Sequence, residues 1–401
     1  MKKVKKIKVK ILKDINKPIL LLTLLYAILG CFLILDASSI SSVLYYKTDS
    51  EYYFFIRQLR FVGYSIIASI FVLKTPTAKY RRLSLIASLF FIGALLYVYI
   101  ENSINTSVND VTLSMFGGRF QPGEFLKVFL IMYMGSYYGD WANNKNHKKY
   151  SFLFPLFLCA VSAIVILLGG DFGSAAIMLA LYALVFMSVP SKDTTVKVVK
   201  AIACIGLVFS VLVLKFAYVI IPEDVLNKSY RLNRLVYKSP CDRYEENSGY
   251  QVCNGYIAID NGGLFGTGIG ESVQKYMYLP ASHTDFIFPI VVEELGSLFG
   301  VLIILGYVVI IVLVLKVSKE CYKLQNSIIC YGIAIYFMLH IFVNLGGVLG
   351  IIPLTGVPLP FLSYGGSFCI VVISSFAIVQ RIHVENKAEE RYKLYMESKN
   401  E

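Results

Sequence analysis

Apolar residues in this chain gather into long unbroken runs rather than the alternating or 3.6-residue patterns of water-facing elements. Ten runs read as membrane-crossing helices: 18–37, 58–75, 83–100, 122–140, 152–169, 174–190, 198–221, 284–315, 326–352 and 364–381. About 20 residues rising ~1.5 Å each cover a ~30 Å hydrocarbon core. The run 284–315 exceeds one perpendicular span: either Gly296 and Gly300 break it into a short piece and a full span, or it tilts. The first run spans and has no small-residue cleavage site, so it is expected to be a span rather than a secretory leader. The fold class expected is all-α, a polytopic membrane protein of about ten transmembrane helices with a large extracellular loop, 222–283, between spans seven and eight. Residues 1–17 form a basic N-terminus, 18–383 a single transmembrane domain and 384–401 a tail, with everything outside the spans read as loop or tail.

Composition fits this class. Of 401 residues, 57% are hydrophobic and 16% charged, against ~45–50% and ~25% in soluble chains. That excludes a disordered chain, a disulfide mini-protein and an ordinary cytosolic enzyme. Lysine and arginine total 38 against 26 acids, a net charge of +12. Segments 1–17, 74–82, 145–149, 192–200, 316–323 and 381–399 hold 26 of the 38 basic residues, so both termini are expected to be cytoplasmic. The basic N-terminus is read as a topology anchor facing anionic membrane lipids, and no nucleic-acid partner is expected. Lys228, Arg231, Arg234, Lys238, Arg243 and Lys275 run against this bias on the opposite face, which points to a bound anion there. Of eight cysteines only Cys241 and Cys253 share the large loop. They form a disulfide or stay as two free thiols; the sequence leaves both open. No cysteine or histidine spacing suggests a metal.

Ionisable residues in or beside membrane spans are functional candidates by default. In Gln121-Pro122-Gly123-Glu124-Phe125-Leu126-Lys127, Pro122 suits the first turn of a helix. Glu124 and Lys127 then lie i, i+3 on one face. They either form a buried pair that fixes packing, or Lys127, with Arg119 just outside, faces an anionic lipid head group. Ser282-His283-Thr284-Asp285-Phe286 opens span eight. Asp285 is either a partly desolvated general base or, with Thr284, a helix cap. Glu293 further along reads as a paired structural carboxylate. The glycine-dense 262–270 is either a phosphate nest or flexible packing. Residues 353–367, rich in proline and glycine, either make a tight turn between spans or line a polar cavity.

Together these motifs resemble the SEDS family (shape, elongation, division and sporulation) of RodA/FtsW/SpoVE-like proteins, in order and along nearly the whole chain. The resemblance is carried by Tyr53–Gln58, Gln121-Pro122-Gly123-Glu124 with Lys127, Gly170-Asp171-Phe172-Gly173, Gly249-Tyr250-Gln251, Gly262–Gly270, Ser272–Lys275, Tyr278-Leu279-Pro280, His283-Thr284-Asp285-Phe286, Glu293-Glu294-Leu295-Gly296 and 353–367. It implies a peptidoglycan glycosyltransferase of the bacterial cell membrane that polymerises lipid II on the outer face beside a class B penicillin-binding protein. It also implies that Asp285 is the essential acid, a general base for the acceptor 4-hydroxyl, with undecaprenyl pyrophosphate leaving and a β-1,4 linkage formed. Glu124, Lys127, Arg119, Lys275, His283, Gln121 and Ser363 are the expected substrate-binding residues. No resident cofactor is expected; a divalent cation, Mg or Mn, is the alternative partner for the pyrophosphate. The chain departs from the family pattern by lacking an Arg-Trp pair around 107–111, and by having Gly123 for Ser and Ala281 for Glu. Two other readings remain: a lipid II flippase, or a catalytically degenerate scaffold for the penicillin-binding protein.

Overall fold

The computed structural model describes residues 11–44, 46–48, 50–104, 113–115, 118–143, 151–220, 236–245 and 247–399. Helices fall on all ten predicted runs: α1 (Lys17–Leu44), α2 (Tyr53–Lys74), α3 (Tyr80–Ile104), α4 (Pro122–Asn143), α5 (Leu153–Leu168), α6 (Phe172–Ser188) and α7 (Thr194–Ile220). After α8 (Asn247–Gly262) in the large loop come α9 (Ile287–Glu320), α10 (Leu324–Val348) and α11 (Gly366–Glu397). Among the described residues, seven helices (α1, α2, α3, α7, α9, α10, α11) are long and apolar enough to cross a membrane. The shorter α5 and α6 and the charge-bearing α4 occupy the other predicted runs. Exposed side chains on α7, such as Ile202, Ile205 and Phe209, are apolar, as on a lipid-facing surface. The chain is a polytopic helical membrane protein.

Two expectations need correction. The regions outside the spans are not all loop: α8 is helical, and β1 (Leu113–Met115) pairs antiparallel with β2 (Gly118–Phe120), Ser114 opposite Arg119. The expected tail from 384 is a continuation of α11 to Glu397. Lys228, Arg231 and Arg234, half of the basic loop set, and the segments 107–111 and 145–149 lie outside the described residues.

Lipid offers helices no hydrophobic drive to associate, so close approach depends on small residues. A Cβ on Gly135 would lie 2.5 Å from Ile329 Cγ1, and one on Gly139 2.7 Å from the Gln325 Cα, so α4 can seat against α10 only with glycine at both places. At one end of the bundle, Arg391 pairs with Asp14 at 2.6 Å, Arg381 with Glu385 at 2.7 Å and Arg81 with Asp140 at 2.8 Å. Gln325 Nε2 donates to Thr77 O at 2.9 Å. Segments 74–82, 316–323 and the start of the tail thus share one end, as the charge pattern requires.

Of the alternatives for 284–315, the break is the one observed, and it sits at Gly296 alone. Gly296 has φ 85° and ψ 163° inside α9, a conformation open to glycine. Gly300 stays helical and packs against Val292 and Phe288. The segment after α8 repairs the break: Ser297 N donates to Gly263 O at 2.9 Å and Thr267 N to Glu293 O at 2.9 Å. Cys241 and Cys253 are joined as a disulfide, which ties the turn Pro240–Arg243 to α8.

Candidate functional site

The site is built where the segment preceding α9 meets residues 353–367. α9 starts at Ile287, and its N-cap residue is Phe286, without a side-chain cap. Neither Thr284 nor Asp285 holds the capping position. Thr284 Oγ1 instead donates to Ala281 O at 3.2 Å. Asp285 is half-buried, and its backbone is clamped from two elements. Asn344 Nδ2, near the end of α10, donates to Asp285 O at 2.9 Å and to Val357 O at 2.8 Å. Ser363 Oγ accepts from Leu359 N at 2.8 Å and donates to Thr284 O at 2.7 Å, while Tyr364 N donates to His283 O at 2.8 Å.

Residues 353–367 are no simple turn. Tyr307 of α9 donates to Pro360 O at 2.6 Å. Phe361 is buried against Phe337 and Phe376, and a Cβ on Gly30 would clash with Phe361 O at 2.0 Å. Prolines hold the strand extended, and side chains from neighbouring helices satisfy part of its backbone, as irregular chain inside a membrane requires.

Most of the expected substrate-binding side chains are engaged with other parts of the protein. Lys127 is fully buried, its Nζ 2.7 Å from Glu124 Oε1. Glu124 Oε2 accepts from the Tyr336 hydroxyl at 3.1 Å, and His340 Nε2 lies 3.6 Å away. Lys127 therefore faces a carboxylate, not an open head-group site. Lys275 is also buried, 2.6 Å from Glu294 Oε1 and 2.9 Å from Asp36 Oδ1. Burial alone would lower its pKa, but hydrogen bonds to Glu294 and Asp36 outweigh this and the pKa is raised. It locks the large loop to α1 and α9. Gln121 joins two helix starts: its N–H donates to Ser367 Oγ at 3.1 Å and its Nε2 to Asp171 Oδ2 at 3.1 Å. Asp171 in turn caps α6 through Ser174 N at 2.9 Å. Arg119 lies in β2, its side chain outside the described atoms. Glu293 is a structural carboxylate, as expected: it accepts from Ser272 Oγ, from Asn261 Nδ2 at 3.0 Å and from Gln274 N at 3.3 Å.

His283 sits in an aromatic cage, 4.5 Å from the Phe54 ring and 5.8 Å from Tyr364, with Nδ1 buried and without a hydrogen-bond partner. Burial pushes its pKa down from 6.5 to about 4, so the ring is neutral at pH 7. The unfolded chain binds this proton near 6.5 and the folded chain does not until about 4. Stability should therefore fall as pH drops through that window, by up to about 3 kcal/mol. Melting temperature followed from pH 7 to 4 should decline steeply in the wild type and less in His283→Phe. Equal slopes would remove this role for the histidine.

Sequence reasoning passed over three residues. Arg57 of α2 is half-buried with its guanidinium 4.6 Å from the Tyr53 ring, and it hydrogen-bonds Tyr364. Asn344 clamps Asp285, and Asp36 anchors Lys275. Asp36 and Asn344 are polar residues in or beside apolar runs, a signal visible in the sequence but given no weight, and Arg57 stands in the Tyr53–Gln58 motif, where it was given no role of its own. Among the described residues no three of His, Cys, Asp or Glu converge to hold a metal ion.

The FtsW/RodA/SpoVE family model, described as "Cell cycle protein", matches residues 16–388. The chain is 32% identical over 397 residues to the probable peptidoglycan glycosyltransferase FtsW of Bacillus subtilis, covering 96% of this chain and 94% of that protein. It is 28% identical to stage V sporulation protein E of the same organism, over 92% of this chain and 96% of that one. Among solved structures it is similar in fold to a chain from a peptidoglycan synthase complex that coordinates polymerization and crosslinking. There the TM-score is 0.66 at 18% identity, covering 93% of this chain and 98% of that one. A second is the rod shape determining protein RodA of Thermus thermophilus, with TM-score 0.58 at 20% identity, covering 93% and 97%.

Proposed function

Since this chain belongs to the FtsW/RodA/SpoVE family of cell cycle proteins, we propose that it is a peptidoglycan glycosyltransferase in which Asp285 is the general base. The observation that carries this is a half-buried carboxylate outside the N-cap position, its backbone held from α10 by Asn344 and flanked by hydrogen bonds from Ser363 and Tyr364 to residues 284 and 283. Such fixation keeps a base in one place while substrates change, which is what proton abstraction at a moving sugar requires. The substrate is lipid II, presented from the leaflet at the end of the bundle that carries the large loop, which is the outer face. Both termini are then cytoplasmic.

The chemistry follows. The acceptor 4-hydroxyl attacks the anomeric carbon of the donor, Asp285 takes its proton as the bond forms, and undecaprenyl pyrophosphate leaves from the opposite face. An α-linked donor thereby becomes a β-1,4 linkage. Charge on the departing pyrophosphate needs a cation. Lys127 and Lys275 are paired inside the fold, so Arg57, half-buried over Tyr53, replaces them as the candidate, and Arg119 stays a second one. A divalent cation, Mg or Mn, is the alternative partner for that charge. A class B penicillin-binding protein is the partner, by extension from the similar complex that joins polymerization to crosslinking.

The test is purified protein with labelled lipid II, alone and with its partner. Glycan ladders are expected. Translocation of lipid II without polymer would replace this reading by a flippase. The buried Glu124–Lys127 pair argues against that outcome, because charges that neutralise one another in a closed core do not line a path.

A further inference from the structure

The nine residues Gly262–Gly270 carry no ionisable group. Their outward side chains are apolar and open: Leu264 is 68%, Phe265 81% and Ile269 77% exposed. In water such a tip is costly. Its backbone points the other way. Gly266 N donates to Gly262 O at 2.7 Å, Thr267 N to Glu293 O at 2.9 Å and Gly268 N to Glu294 O at 3.0 Å. The carbonyls of Gly263 and Leu264 accept from Ser297 N at 2.9 Å and Leu298 N at 3.3 Å. The approach is close enough that a Cβ on Gly266 would lie 2.1 Å from Glu294 O. This segment has therefore handed its polar backbone to the break in α9 and turned its apolar side chains outward. Lipid makes the same demand of any irregular chain it touches.

The position agrees. Between Gly296 and Lys316, α9 presents a straight apolar run whose exposed residues include Leu298, Val301, Leu302 and Leu305. At ~1.5 Å per residue this run matches a ~30 Å hydrocarbon core, so Gly296 marks its upper edge. Leu264 and Phe265 continue that lipid-facing stripe across the break. Beside them a cleft of about 750 Å³ opens, with Ile257, Ile259, Leu264 and Leu349 as its apolar wall and Asp260 and Ser297 as its polar part.

We infer that the Leu264–Ile269 tip is seated among the acyl chains of the leaflet at the loop-bearing end, an anchor holding the large loop and the break of α9 at the membrane surface. This goes beyond the proposed transferase reaction and does not depend on it. The occupant is phospholipid, because the nine-residue tip itself carries no charge and is continuous with the lipid-facing stripe of α9, while the exposed carboxylates Asp260 and Glu271 bracket it where head groups lie.

The native chain has a single tryptophan, Trp141, buried in α4, so Phe265→Trp adds one reporter whose emission is the difference from wild type. Ile269→Trp is a second, independent reporter. In phosphatidylcholine bilayers with brominated acyl chains, the added emission should drop about two-fold or more relative to unbrominated lipid, with little quenching by aqueous acrylamide. Strong acrylamide quenching with no bromine effect in both variants overturns the inference. So does shielding that arises only when a penicillin-binding protein is added, which would make the tip a protein interface.

Discussion

Asp285→Ala is expected to abolish glycan polymerisation, lowering the rate by about 10²–10⁴-fold, the usual contribution of a positioned base. Asp285→Asn should do nearly as much, because an amide keeps the shape and cannot accept the proton. Neither change should unfold the protein. Hydrogen bonds to the backbone hold this position whatever the side chain: Asn344 Nδ2 to Asp285 O at 2.9 Å and, one residue earlier, Ser363 Oγ to Thr284 O at 2.7 Å. Ladder assays with labelled lipid II, read beside melting curves of the same preparations, separate the two effects. An Asp285→Asn protein that polymerises within a few-fold of wild type would remove Asp285 as the base and leave the family assignment standing.

The second large effect is on stability. Glu124→Leu leaves the Lys127 ammonium fully buried without its partner at 2.7 Å, and strips the Tyr336 hydroxyl of its acceptor. Breaking one side of a buried ion pair costs about 3–5 kcal/mol. The double change Glu124→Leu with Lys127→Met should recover most of that loss, since two apolar side chains of similar size often replace a buried pair without penalty. Thermal melting of the two single variants and the double variant in lipid nanodiscs gives the coupling directly. If the singles melt like wild type but fail in the ladder assay, the pair faces substrate after all and its structural role is overturned.

Both predictions depend on a distinction invisible in the linear chain. The motif around Gln121–Lys127 and the motif around His283–Phe286 look alike as sequence: short polar clusters at the mouth of an apolar run. One turns out to be a sealed pair and the other a half-buried carboxylate at the start of α9. Lys275 teaches the same lesson more sharply. As a lysine on a loop it suggested an anion; in the folded chain it closes a contact between residues 36, 275 and 294. Ser363 and Gln121 likewise bind other parts of the protein, at Thr284 and Asp171.

What the sequence determined by itself was what depends on near neighbours: the membrane class, from unbroken apolar runs; the helix starting at Pro122; and the shared end of segments 74–82, 316–323 and the start of the tail, while the break at Gly296 was one of two open readings that the fold decided. These are local because a helix satisfies its own backbone and a single glycine or proline acts at its own φ. Tertiary structure alone decided which polar groups meet across the bundle. It set Asp36 and Glu294 against Lys275, Tyr336 against Glu124 and Asn344 against Asp285, and it chose the disulfide over free thiols at Cys241 and Cys253. The physical reason is desolvation: inside a membrane a polar group must find a partner wherever the fold brings one. That partner is set by packing between distant helices, not by the spacing of residues along one of them.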